Sequence, residues 1–156
     1  MSAVDIEASR LRLLLDEHEA PILAELASQL MLMLRDTPDD PAAAVLFPVG
    51  YEVPSDQAEF SRYTHGELSE RKLAAAQRVA AALSGPAADG VIVTLSVEEA
   101  WDWLTFLSDI RLVLAERLAE TLGTAEDRHL QQGLFDWAAY LQGSLVDALA
   151  ELAGHH

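Results

Sequence analysis

Residues 91–122 read VIVTLSVEEAWDWLTFLSDIRLVLAERLAETL, and the order of their chemistry decides the fold. Val91 to Thr94 are all β-branched, Leu95 follows, and Gly90 precedes them, which is the pattern of a short strand behind a turn. Ser96 and Glu99 then stand three residues apart. That spacing is a capping box: the serine hydroxyl accepts the N–H three residues on, and the glutamate reaches back to the serine N–H. A helix is therefore predicted over 97–122. Projected at about 100° per residue it is apolar over most of its circumference. Such a helix is either central in its fold or covered on one side by a partner subunit. Trp101 and Trp103 point about 200° apart, so the core is expected to reach both sides of it.

The polar exceptions on this helix are few. Glu98, Asp102, Asp109, Glu116 and Glu120 fall on one narrow acidic strip, which is expected to face solvent or a basic partner. Arg111 falls in the middle of the apolar arc, between Leu104 and Leu118. A guanidinium cannot be neutralised there, so it needs a carboxylate or several carbonyl acceptors.

The same layout occurs upstream. Residues 10–15, Arg-Leu-Arg-Leu-Leu-Leu, begin in period-two alternation and lead into Asp16 and Glu19, a second capping box. Ile22, Leu23, Leu26, Leu30, Met33 and Leu34 follow at helical spacing, with Pro21 in the tolerant first turn. Leu15-Asp16-x-x-Glu19-Ala20 thus matches Leu95-Ser96-x-x-Glu99-Ala100. The inference is that 10–14 and 91–95 pair as a two-stranded ribbon that launches two core helices; the alternative is that the layouts agree by chance. Glu19 lies on the apolar stripe of its helix, as Arg111 does on the other. A structural buried ion pair, Arg111 with Glu19, is the expectation; an anion-binding or substrate-binding Arg111 is the rival. Lys72 also lies on the apolar side of its helix, but its long stem can carry the charge to water.

Elsewhere, Asp40-Pro41 starts a short helix that stops before Phe47-Pro48, and Ser55-Asp56 opens another carrying Phe60 and Tyr63. Thr64 and Glu67 can cap a further helix to about Leu83, closed by Ser84-Gly85-Pro86. Gly123 suits the left-handed position after a helix, and Thr124 with Asp127 starts the last one, reaching about Leu152. The fold class is mostly all-α: a compact bundle of about five to six helices with the small ribbon, as a single domain over 1–156.

Composition limits the function. The 26 acids and 10 bases leave a formal net charge of −16. Such a polyanion repels phosphate backbones and anionic headgroups, so neither nucleic acid nor membrane is an expected partner. Arg62, Arg71, Lys72 and Arg78 are interleaved with Glu59, Glu67 and Glu70, the mix of an ordinary helix surface. With no cysteine, disulfides, thiolate metal sites and cysteine nucleophiles are excluded. The first residues, Met-Ser-Ala-Val-Asp-Ile-Glu, lack the basic and apolar regions of a signal peptide, and no run of about 18 apolar residues occurs, so a cytoplasmic location is expected.

No motif carries chemistry. Glu126 and His129 have the spacing used in di-iron carboxylate bundles, but those need a second such pair and two more inward glutamates. His18, His65 and His129 do not complete a ligand set. His155 and His156 read as a tag remnant. No serine sits in a nucleophile elbow and no glycines form a phosphate loop. No cofactor and no catalytic residue is expected.

Several blocks in order carry a resemblance: Asp40-Pro41, Leu46-Phe47-Pro48 and Tyr51; Glu59-Phe60-x-Arg62, Leu68 and Lys72; Trp103-Leu104, then Leu107 to Leu114; and Trp137 with Tyr140-Leu141-Gln142 and Leu145. The pattern resembles an uncharacterised, largely actinobacterial family of domains of unknown function, often encoded beside the adaptor of the Clp protease. It covers most of the chain. Members tend to have Asn where this chain has Ser108, and Arg where it has Val45, which counts against a polar role at either position. The resemblance implies a helical fold and an intracellular location, and no activity.

The functional expectation is a non-catalytic protein–protein interaction or regulatory domain acting through an acidic helical face, with a link to intracellular proteolysis hinted by that neighbourhood and with a homodimer open. The rivals are a small-ligand or metal-binding protein centred on Arg111 and, more weakly, a transcriptional regulator, for which no recognition helix with clustered bases is visible.

Overall fold

The computed structural model describes residues 2–36, 46, 58–84, 90–119 and 123–154, with the backbone alone for 58–66. Three strands, β1 (Ala3–Glu7), β2 (Arg10–Leu15) and β3 (Val91–Leu95), form an antiparallel sheet in the order β1-β2-β3. Four helices complete the described fold: α1 (Glu19–Asp36), α2 (Ala58–Ala82), α3 (Val97–Ala119) and α4 (Ala125–Gly154).

The expected ribbon is present and larger. β2 pairs with β3 in a register that sets Leu11 opposite Leu95 and Leu13 opposite Val93, all four turned into the core. β1 adds a third strand through a two-residue turn at Ala8-Ser9, both with positive φ, which is the geometry of the mirror-image turns that suit twisted hairpins. On the outer face Arg12 lies opposite Asp5 and holds it through two 2.8 Å bonds, keeping that carboxyl below its usual range. At the other edge Gly90 has φ +91°, and a Cβ there would lie 2.6 Å from the Leu15 carbonyl oxygen. The backbone of β3 thus enters the sheet where only glycine fits.

Three of the four expected caps form reciprocally. Asp16 Oδ1 accepts the Glu19 N–H while Glu19 Oε1 accepts that of Asp16. Ser96 with Glu99 and Thr124 with Asp127 make the same reciprocal pair of hydrogen bonds at the starts of α3 and α4. Two helix expectations differ from the structure. The break at Thr64 is absent: α2 runs unbroken from Ala58 to Ala82. A Thr–Glu pair caps a helix that starts there, but it does not stop one already nucleated, and no proline interrupts the run. Gly123 does not have a positive φ. The short helix expected from Asp40-Pro41 lies outside the described residues.

The helices pack in sequence, α1 on α2, α2 on α3 and α3 on α4, with α4 against β1. One core joins them, built on Leu23, Leu30, Val79, Trp103, Phe106, Leu107, Leu141 and Leu145 together with the inward strand residues. No described helix is long and apolar enough to cross a membrane.

Candidate functional site

α3 is the hub, and its two faces differ. Inward it buries Ala100, Trp103, Leu104, Phe106, Leu107, Asp109, Ile110, Val113 and Leu114. Outward, Val97, Trp101, Thr105, Leu112, Ala115 and Ala119 are exposed and Ser108 is half-buried. Trp101 keeps 60% of its surface in solvent and Leu112 43%, whereas Trp103 keeps 2%. The expectation that the core reaches both sides of α3 is therefore corrected. α2 and α4 flank the helix, and nothing among the described residues roofs it.

The acidic strip is divided between different environments. Glu98 is exposed and Glu116 half-buried. Asp102 binds Arg78 of α2 at 2.9 Å. Asp109, expected at the surface, is 2% exposed and lies 2.6 Å from Lys72 Nζ. Its Oδ2 is buried without a hydrogen-bond partner. Burial pushes the Asp109 carboxyl above the usual range, and the Lys72 ammonium pulls it back. Glu120 lies outside the described residues. As one solvent-facing surface the strip does not exist, because its middle turns into the α2–α3 contact.

Arg111 does not meet Glu19. Its Nη1 donates to Gln142 Oε1 at 2.6 Å, its guanidinium carbon lies 5.2 Å from the centre of the Phe135 ring, and its Nε is buried without an acceptor. An amide and an aromatic face of α4 thus hold this cation. Glu19 is engaged at the start of α1 by Asp16 and by Ser2, whose hydroxyl donates to it. Ser2 Oγ also accepts the Trp137 indole N–H at 2.7 Å, so one buried serine ties β1, α1 and α4 together. The residues sequence reasoning missed are Lys72 and Ser2. Lys72 gave a signal, an apolar-side position, which the snorkelling argument set aside; Ser2 gave none.

Among the described residues no three histidine, aspartate or glutamate side chains gather as a metal site. His18 is largely exposed beside Glu17. An apolar recess between α1 and α3, lined by Leu26, Leu30, Met33, Ile110, Val113 and Leu114, has room for about one water molecule. Gln29 and Arg117, bonded at 3.1 Å, form its polar edge.

These features define a class: a helical domain on a small antiparallel sheet, whose clearest surface feature among the described residues is an open helix face. The chain belongs to the family of the domain of unknown function DUF2017, whose model matches residues 1–149. Searches of curated proteins and of solved structures find no match.

Proposed function

We propose that this is a non-catalytic interaction domain of regulatory type, which docks protein through the open face of α3. The observation that supports it is the uncharged line Val97, Trp101, Thr105, Ser108, Leu112, Ala115, Ala119, exposed at every position but the half-buried Ser108, in a chain of net charge −16. A large aromatic residue left in water near one end of an uncharged line is the kind of anchor that carries binding energy at interfaces. The acidic surplus around it repels nucleic acid and favours approach of a basic protein. Intracellular location and a link to regulated proteolysis are part of the proposal, supported by the neighbourhood that the resemblance implies; the Clp adaptor is the first partner to test.

The test compares wild type with Trp101→Glu/Leu112→Glu in binding to the purified adaptor and in pull-downs from the native host. Both positions are exposed, so the variant should fold normally. Retention of all partners by a well-folded double variant would remove the α3 face from the reading.

A further inference from the structure

We infer that the open face of α3 is the seam of a two-fold dimer, in which a second copy of this chain lays its own α3 antiparallel across the first. The inference rests on the interaction reading above but gives the face a different occupant, a second copy, with which a basic partner would compete. Positions 101, 105, 108, 112, 115 and 119 are separated by four and three residues alternately, which is the spacing of a coiled-coil seam. Five of them are exposed and Ser108 is half-buried, so the seam is open along almost five turns.

Side-chain size sets the direction. Trp101 and Leu112 are large; Thr105, Ser108, Ala115 and Ala119 are small. With a two-fold axis beside residue 110, Trp101 meets the partner's Ala119, Thr105 meets the partner's Ala115, and Ser108 meets the partner's Leu112. Every large side chain then faces a small one, the interdigitation that fills an interface without voids. Parallel pairing stacks Trp101 on the partner's Trp101 and leaves alanine facing alanine in two layers. The antiparallel seam is also isologous, the same patch used by both copies, as a closed two-fold dimer requires.

The rims are compatible. On the α2 side Asp102 approaches Glu116 of the partner subunit, and the Arg78 guanidinium, 64% exposed and already bonded to Asp102, supplies the cation between them. On the α4 side each Arg111 is folded onto its own Phe135 and Gln142. The remaining long-range force is repulsion between two acidic chains, so self-association should strengthen as salt screens it. A basic partner on the same surface would show the opposite dependence.

Sedimentation velocity over a wide concentration range tests this. Wild type should reach a dimer, more readily at moderate than at low salt. Trp101→Ala empties two layers and Ala119→Trp overfills them, so each alone should weaken association at least about tenfold. The exchanged pair Trp101→Ala/Ala119→Trp restores a large residue opposite a small one only in the antiparallel register, and should recover most of the affinity. A monomer at every concentration, an exchange that fails to rescue, or association that weakens with salt would overturn the dimer. If the monomer result comes with partner binding that still depends on Trp101 and Leu112, self-pairing alone is lost. If partner binding is also indifferent to them, the interaction reading falls with it.

Discussion

The Lys72 ammonium lies 2.6 Å from Oδ1 of Asp109, while the second oxygen of that carboxylate is buried with no hydrogen-bond partner. The pair joins α2 to α3 at a point where both side chains are nearly out of water, at 12% and 2% exposure. An ion pair there is costly to break from one side, because the survivor remains a buried charge. Lys72→Met should therefore cost about 3–5 kcal/mol at neutral pH. The loss should shrink in acid. Burial already holds the folded carboxyl above its unfolded value, and removal of the lysine raises it further. The folded state then takes up a proton that the unfolded chain binds only at lower pH. Stability falls as pH rises through the folded pKa and is regained as pH drops towards the unfolded one. Urea unfolding of the variant at a series of pH values, each referred to wild type, checks this; a pH-independent loss would show that Asp109 is not the charge responsible. Lys72→Met/Asp109→Leu should recover most of the stability.

Arg111 and Gln142 form the second testable contact. Losing one hydrogen bond and a cation–aromatic contact should cost about 1–2 kcal/mol for Arg111→Ala. Arg111→Met also removes the buried, unpartnered Nε and fills part of the space, so it should stay within about 1 kcal/mol of wild type. In double-mutant cycles, Arg111 should couple with Gln142 by about 1 kcal/mol and be additive with Glu19. Coupling to Glu19 instead would restore the ion pair that the sequence suggested.

Periodicity and caps made the framework readable, and side-chain partners were what stayed hidden. The capping boxes at Asp16, Ser96 and Thr124 are local patterns, so three helix starts could be placed to within a residue or two. The β2–β3 pairing followed from their matching layouts. β1 escaped because its turn, Ala8-Ser9, carries none of the Gly, Asn or Asp that usually announce a hairpin. The ion pairs were misassigned for a different reason. A helical projection says that Arg111, Asp109 and Lys72 lie near apolar arcs, but not which neighbouring helix each arc meets. Asp109 stands at the boundary between the wet and dry sides of α3, and only the approach of α2 decides that it is buried. Likewise Trp101 and Trp103 are equally apolar in sequence, and only the absence of a described element over one side makes Trp101 the exposed member.

The hairpin turn offers a stabilising change. Ala8 and Ser9 have φ of 52° and 65°, in the left-handed region that non-glycine residues occupy at a cost. Replacing the pair with Asn-Gly should stabilise the protein by about 1 kcal/mol, read as a higher urea midpoint at unchanged slope.

Gly90 should behave in the opposite way. Its φ of +91° and the Leu15 carbonyl oxygen, 2.6 Å from where a Cβ would lie, leave no room for a side chain. Because the obstacle is backbone of β2, it cannot swing aside as a side-chain tip could. Gly90→Ala should cost at least about 2 kcal/mol and loosen the β2–β3 pairing first, seen as faster amide exchange at Val91 and Val93.

Ser2 accepts the indole N–H of Trp137 and donates to Glu19, which in turn closes the cap of α1. The residue is 4% exposed although it stands at the edge of the sheet, so its hydroxyl joins three elements that share no backbone hydrogen bond. Ser2→Ala removes both bonds and leaves the indole donor without that acceptor, a change that should cost about 1–3 kcal/mol. Trp137→Phe removes the donor together with its need for a partner, so Ser2→Ala should cost less in that background. The difference between the two backgrounds measures the bond itself. If the node holds β1 in place, Ser2→Ala should also speed amide exchange in residues 3–7 while α2 is unaffected. Equal cost in both backgrounds, with exchange in β1 unchanged, would mean that the strand is held by its pairing with β2 alone.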